Sequence, residues 1–464
     1  MTIDGKHERE GSSAMMDDET VRFGGRHDAR RYSASRALEE RALQLIPGGS
    51  HTYAKGVDQY PVLAPGFIER GHGCHVWDVD GNEFVEYNMG GRAVVLGHAY
   101  EPVVRAARAA MDLGSSFTRP HRLEVECAEA FVGMIPGAEM VKFTKDGSTA
   151  TTAAIRLARA YTGRRRVALC SDHPFFSYDD WFIGTTTMDA GIPDAVRALT
   201  LTFPYNDLDA CRRLFDEHGD DIAAVILEPV RAEAPRDGFL HELRDLAHSR
   251  GALFVLDEMI TGFRYHAGGA QALFGITPDL STFGKGLANG FALSALCGRR
   301  EIMDLGGLDD SRPRVFLLST THGGETHALA AGIENMRIFR EEPVVEHMNA
   351  MGRRLRTGCE AVIEQRGLAD YVTVNGYDCN LAFATLDAER RPSQGYRSLF
   401  LQEMLREGVL APAFTVSYSH APADIDRTIE AVDRALGVYA RALEDGYEQH
   451  LVGRPSRMVM HHRG

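Results

Sequence analysis

Nowhere in its 464 residues does the chain run through 18 consecutive apolar residues, so the sequence offers no membrane-spanning helix. Its seven cysteines (74, 127, 170, 211, 297, 359 and 379) are scattered, form no Cys-x-x-Cys pair and are odd in number. That speaks against a disulfide framework and fits reduced thiols in a cytoplasmic protein. Positive charge is in deficit. Against 65 Asp and Glu stand 51 Lys and Arg, and the net charge of −14 argues against nucleic acid or an anionic membrane as partner. The opening "MTIDGKHEREGSSAMMDDET" lacks the apolar core of a signal peptide. It is polar, and residues 1–30 are expected to be a disordered tail. The closing "RMVMHHRG" has two histidines but no spaced cysteine, histidine or carboxylate set beside them, so no metal site is expected.

What is present is ordinary globular material, 44% hydrophobic and 25% charged, long enough for two or more domains. "SASRALEERALQLIPGG" from Ser33 is an amphipathic helix stopped by Pro47 and two glycines. "CHVWDVDGNEFVEYN" alternates around Asp80-Gly81 and predicts a β-hairpin. Then helices alternate with short apolar strands, among them "AEMVKF", "RRVALCS", "IAAVILEPV" and "ALFVLDEM". This alternation predicts an α/β doubly wound, mostly parallel sheet. The last third holds two long helices, from "EEPVVEHMNAMG" and from "DIDRTIEAVDRALG", with short strands between. The expected layout is an N-terminal segment over 31–90, a large domain over 91–335 and a C-terminal small domain over 336–464, the first segment joining the last.

One short stretch raises the functional question. In "LSTFGKGLANGFALSALCG" a single lysine, Lys285, sits between two glycines. A buried lysine loses hydration, its pKa falls, and it becomes a usable amine nucleophile. Flanking glycines let another molecule approach the backbone. Alone, the pattern is equally that of a surface lysine in a glycine turn. But "LFVLDEMITGFR" ends an apolar strand with Asp257 and Glu258, at the strand end where open α/β sheets bind ligands. In "KFTKDGSTATTAAIRLARAYTG", Gly147 and Ser148 lie between strand and helix, where amides can cradle a phosphate or merely begin a capped helix. Likewise the acidic pair can be a cap or solvated. Pyridoxal phosphate needs these three parts together: a lysine to hold its aldehyde as a Schiff base, a carboxylate at its ring nitrogen and donors for its phosphate.

With "IPGGS", "LGHAY", "PYND", "ILEPV", "LDEMITGFR", "PDLSTFGKGLANG" and "DIDRTIEAV" in order, the chain resembles the class III aminotransferases of the fold type I pyridoxal-phosphate enzymes, nearest the glutamate-1-semialdehyde 2,1-aminomutases. The resemblance runs from about Ser35 to Leu436. It implies a large doubly wound domain with a smaller α+β domain drawn from both termini. It implies Lys285 as the Schiff-base lysine, Asp257 as partner of the pyridine nitrogen, and Asp146, Gly147 and Ser148 at the phosphate loop. Phe175 falls where a ring stacks on the cofactor, Glu228 near its face, and Thr321 where a threonine reaches the neighbouring subunit's phosphate. A homodimer with active sites at its interface follows.

The departures concern the substrate side. Asp146 is an odd neighbour for a phosphate unless it caps the helix or points away. Gly90-Gly91-Arg92 stands where the aminomutases have Ser-Trp-Gly, Lys55 where they have a carboxylate-binding arginine, and Glu325-Thr326 where they have Asn-Pro. The expected activity is therefore amino transfer between a small-molecule amino donor and a small or sugar-like aldehyde or ketone acceptor. Intramolecular transfer of the aminomutase type is the alternative, and epimerisation or decarboxylation a further one. Lys55 and Arg92 are expected to bind an anionic group of the substrate, unless Arg92 pairs with an internal carboxylate and Lys55 is solvated. A cofactor-sensing regulator would need a DNA-binding module that residues 1–30 are too short and acidic to supply. A P-loop is excluded, because the upstream glycine and the hydroxyl residue after Lys285 are missing.

Overall fold

The computed structural model describes residues 32–173, 175–230, 233–309 and 311–457. The expected tail over 1–30 and the two terminal histidines lie outside the described residues. The strands in chain order are β1 (Ile68–His72), β2 (His75–Asp78), β3 (Glu83–Glu86), β4 (Met140–Thr144), β5 (Arg166–Cys170), β6 (Thr200–Phe203) and β7 (Ile222–Leu227). They continue as β8 (Leu253–Asp257), β9 (Leu280–Phe283), β10 (Ser294–Gly298), β11 (Val372–Tyr377), β12 (Asn380–Thr385), β13 (Val409–Leu410) and β14 (Phe414–Thr415).

A seven-stranded sheet in the order β4-β10-β9-β8-β7-β5-β6 carries the site. β6, β5, β7, β8 and β9 pair parallel, while β10 runs antiparallel to both β9 and β4. β4 therefore points the same way as the parallel strands. Consequently β4, β5, β7, β8 and β9 all end on one edge, the edge where such sheets present ligand-binding residues. The central strands β7 and β8 are runs of apolar residues, closed in β8 by Asp257, and every residue of both is buried. The helix Gly147–Thr162 packs behind β7, β9 and β10 through a face of small residues, Ala150, Ala153, Ala154 and Ala158. Gly163 ends it in the left-handed conformation, φ 70°, that glycine adopts most readily.

The hairpin at Asp80-Gly81 forms as β2 and β3. Asp80 also reaches back over the chain, its carboxylate accepting from the amides of Ala34 (2.8 Å) and Ser35 (2.9 Å). The helix Ser33–Leu45, whose own preceding residue supplies no cap, is thus capped from the hairpin. β3 pairs parallel with β13, Val85 opposite Val409, so N-terminal and C-terminal segments share one sheet, β1-β2-β3-β13. β11, β12 and β14 make a third, antiparallel sheet, covered by the helices Val344–Gln365 and Gln394–Arg406, on which the long helix Pro422–Asp445 packs in turn. All seven cysteines are free and buried. Among the described residues no helix is long and apolar enough to cross a membrane.

Candidate active site

Asp257 is the last residue of β8, and the chain after β9 turns at once into Lys285. β8 and β9 are neighbours, Asp257 opposite Thr282, so the carboxylate and the lysine share one strand end. Asp257 is 1% exposed. Its Oδ1 accepts from the Met259 amide (2.9 Å) and the Thr282 hydroxyl (3.1 Å). Oδ2 makes neither bond and is left for another donor. Burial pushes the Asp257 carboxyl up to about 6, against the pull of the nearby Lys285 charge. Lys285 is held below its ordinary range, first by burial and then by the positive charges of Arg92 and Arg264; Glu228 and Asp257 act in the opposite direction. The geometry thus biases the lysine toward the neutral, nucleophilic amine.

The lysine's backbone is in the left-handed region, φ 34°, rare for a side chain of its size and frequent at functional sites. Asn335 pins the turn, its amide donating to the carbonyls of Gly286 and Leu287, each at 3.0 Å. The two flanking glycines do not open the backbone to another molecule, as the sequence suggests. They make room for the protein's own atoms: a Cβ at Gly284 would lie 2.6 Å from Met259 Sδ, and one at Gly286 would lie 2.9 Å from Val95.

The adjacent acid has a different job. Glu258 is fully buried and accepts from Thr261 Oγ1 and from the amides of Ala270 (2.8 Å) and Gln271 (2.7 Å), capping the short helix Gly269–Leu273. Glu258→Ala should strand these donors and cost on the order of 3 kcal/mol of stability, read as a lowered urea midpoint with unchanged m-value. An unchanged midpoint would remove Glu258 from the structural framework.

At the end of β4, Asp146 resolves the oddity of an acid beside a phosphate loop. It is the N-cap of the helix Gly147–Thr162, with Oδ1 accepting from the Thr149 amide (2.8 Å) and Oδ2 from the Thr149 hydroxyl (2.8 Å). Its charge is spent on the cap, and the amides of Gly147 and Ser148 remain without an acceptor within the helix. A Cβ at Gly147 would lie 2.8 Å from Met259 Sδ, so this position has no room for a side chain. Ser148 is buried, its hydroxyl accepting from the Tyr178 amide at 3.1 Å. Phe175, after β5, is half-exposed and packs edge-on against Phe182. Glu228, directly after β7, is buried, and its amide donates to His173 Nδ1 at 2.9 Å.

Two predicted residues stand apart. Thr321 is exposed, in a loop preceding the helix Thr326–Glu341. Lys145, just before Asp146, pairs with Glu325 at 2.9 Å and ties that loop to the phosphate side. Lys55 is exposed in a single 3-10 turn, and none of its described contacts reaches the lysine or Arg92. Arg92 belongs to a turn, Met89–Arg92, that packs against the turn Lys285–Ala288. It bonds to Asn380 Oδ1 (3.1 Å) rather than to a carboxylate, so the internal ion pair weighed from sequence does not form.

Sequence reasoning passed over Arg264, which is 1% exposed and donates through Nη2 to the Arg92 carbonyl at 2.6 Å. It stands in the quoted "LDEMITGFR", but a lone arginine after a phenylalanine carries no signal of its burial. Thr282 and Asn335 were equally silent, since their roles are contacts between distant segments.

The residues present fit pyridoxal phosphate. A depressed amine, a buried carboxylate with one unserved oxygen and a helix N-terminus with idle amides meet on one sheet edge. Similarity to known proteins agrees. A family model described as Aminotransferase class-III matches residues 53–418. A protein of Persephonella marina named glutamate-1-semialdehyde 2,1-aminomutase is 36% identical over 425 residues, 85% of this chain and 98% of its own length. The FumI protein of Sphingopyxis sp. MTA144, solved with PLP, superposes with TM-score 0.81 at 32% identity over 91% of this chain and 98% of that one. An omega-transaminase from Sphaerobacter thermophilus gives TM-score 0.78 at 26% identity, covering 89% and 98%.

Proposed function

The chain belongs to the class III aminotransferases, fold type I enzymes that use pyridoxal phosphate, and from that premise we propose that it moves an amino group between two carbons of one small substrate, as an aminomutase does. What carries this reading is the end-to-end likeness to the Persephonella marina aminomutase, laid over the Lys285–Asp257 pair at the sheet edge.

When bound, pyridoxal phosphate supplies an aldehyde that captures amines and a ring that accepts the electron pair released at the substrate carbon. Asp257, whose Oδ2 bonds to neither Met259 nor Thr282, would hold the ring nitrogen in its protonated form. The amides of Gly147 and Ser148 would bind the phosphate at the positive end of their helix, with Asp146 holding that helix end in shape. Phe175 and Glu228 would flank the ring. Lys285 would be the residue that holds the aldehyde, and its Nζ would serve as the base that takes the proton from the amine-bearing carbon of the substrate and gives it back to the same skeleton. The test is turnover of glutamate-1-semialdehyde by purified, cofactor-loaded enzyme with no other amine or keto acid present. Formation of the isomer carrying nitrogen on C1 is the expected result. A strict need for an added amino donor would overturn intramolecular transfer.

That second outcome is the transaminase reading, with a small or sugar-like aldehyde or ketone as acceptor. The rebuilt substrate side favours it: Gly91 where the aminomutases carry tryptophan, and Arg92 and Lys55 in place of their usual residues. Release of carbon dioxide or racemisation in the same assay would point instead to decarboxylation or epimerisation.

Thr321 is proposed to serve the partner's site in a homodimer. Its loop is exposed, and Phe316 (70%) and Leu308 (84%) nearby present apolar surface that a second copy would cover. Mixing inactive Lys285→Ala protein with an impaired Thr321→Ala protein places both defects in one site and neither in the other. Partial activity should return after subunit exchange. No recovery, with exchange verified, would count against the shared site.

A further inference from the structure

We propose that Arg92 and Arg264 together form the subsite that receives an anionic group of the substrate, a carboxylate or a phosphate, beside Lys285. The proposal rests on the amino-transfer reading above and names the substrate class that reading leaves open. Arg264 is among the largest fully buried side chains of the protein. Only its Nη2 is served, by the Arg92 carbonyl; Nε and Nη1 have no hydrogen-bond partner. Buried polar groups left idle are rare in folded proteins, and a missing ligand is one of the standard reasons for them. A buried guanidinium with two idle nitrogens is costlier still.

Arg92 adds a second charge without a counter-ion. Its Nε meets the neutral Asn380 Oδ1, an oxygen already shared with the Thr415 hydroxyl at 3.0 Å, while the Asn380 amide donates to Tyr265 at 3.0 Å. Neither arginine has a carboxylate oxygen within 4.0 Å among the described residues. Glu86, whose charge is felt alongside that of Arg92 at Tyr60, is engaged with His98 at 2.7 Å. The Met89–Arg92 turn packs against the turn Lys285–Ala288, and a Cβ at Gly286 would lie 3.3 Å from Phe263, the neighbour of Arg264, so both arginines border the lysine's turn and their charges lower its affinity for a proton.

The backbone is shaped for the same purpose. Met89, Gly90, Gly91 and Arg92 all have positive φ, at 45°, 61°, 72° and 71°. A left-handed turn of this kind is held only where its surroundings enforce it, and Arg264 does so by gripping the Arg92 carbonyl. A Cβ at Gly91 would meet nothing within 4 Å, so the turn leaves open space next to Arg92. The structure thus pairs Arg92 with Arg264, and leaves Lys55 out of the subsite.

The test uses the enzyme in its pyridoxamine-phosphate form and follows recovery of the cofactor spectrum with three carbonyl compounds of similar length: 5-oxopentanoate, 4-oxobutyl phosphate and neutral pentanal. Wild type should prefer one of the anionic compounds to pentanal by about 10- to 100-fold, the scale of a charge-assisted hydrogen bond, and the preferred anion identifies the group. That ratio should collapse in Arg92→Gln and Arg264→Gln, and be partly kept in Arg264→Lys, which retains a charge but not the planar fork. Pentanoate, which cannot react, is titrated calorimetrically into the loaded enzyme as an independent reading. It should bind Arg92→Gln at least about tenfold more weakly than wild type. Equal pentanoate affinity in wild type and Arg92→Gln would overturn the subsite, as would collapse of the ratio in Lys55→Gln instead. Should no carbonyl compound restore the spectrum while pentanoate still binds through Arg92, the subsite stands and the amino-transfer reading fails.

Discussion

Lys285→Ala protein should purify without the visible absorbance of lysine-bound cofactor and should turn over no substrate above background. The sequence contains five lysines, Lys6, Lys55, Lys142, Lys145 and Lys285. Of those the structure describes, Lys145 is committed to Glu325 and the Ala292 carbonyl, Lys142 lies in the middle of β4, and Lys55 is exposed on its own turn. Among the described residues no second amine stands at the ends of β8 and β9 to take over the capture of an aldehyde there. The cofactor should still bind weakly through Asp257 and the Gly147 and Ser148 amides, and be lost on gel filtration. Lys285→Arg separates charge from chemistry: it restores a cation but no nucleophilic amine, and should be equally dead. A Lys285→Ala protein that kept the lysine-type spectrum would overturn the assignment of this residue.

The prominence of Lys285 and Asp257 in the sequence has a physical cause. Both follow apolar strands buried on both faces, where a single ionisable residue is costly and therefore conspicuous. The strand and helix alternation was legible for the same reason: β7 and β8 have to be continuous apolar runs. What the pattern did not carry was anything decided between distant segments. β10 follows β9 after the turn that carries Lys285, and only its pairing with β9 and β4 shows that it runs backwards. β1, with its mostly exposed residues, and β6, only four residues long, have no apolar signature to read. Asp146 could be judged either a phosphate neighbour or a cap until the Thr149 contacts were placed. Arg264 is an ordinary arginine in the sequence and an extraordinary one in the fold, because its side chain is tied to the turn at residues 89–92, 172 residues earlier in the chain.

Asp257→Asn should have opposite effects on stability and on catalysis, and the two together identify the residue's role. In the cofactor-free protein, burial raises the Asp257 carboxyl from the ordinary 3.8 to about 6. The folded state therefore holds this proton to higher pH than the unfolded state does. Between those two values the native protein binds more protons, so stability falls as pH rises through the window, and above about pH 6 the penalty is fully present. A shift of roughly two units corresponds to on the order of 3 kcal/mol. Asparagine keeps an acceptor for the Met259 amide and the Thr282 hydroxyl but carries no charge. The cofactor-free variant should therefore unfold at higher denaturant than wild type at pH 8, and the difference should vanish below about pH 4, where both forms are neutral. Once the cofactor is bound the advantage reverses, since the carboxylate then faces a protonated ring nitrogen that asparagine cannot hold in its charged form. Turnover should fall by about 100-fold or more, the scale of losing one preorganised electrostatic partner. Wild-type turnover together with an unchanged pH 8 midpoint would remove Asp257 from the site. A stabilised but slow variant is what a carboxylate kept for chemistry at the expense of folding must give.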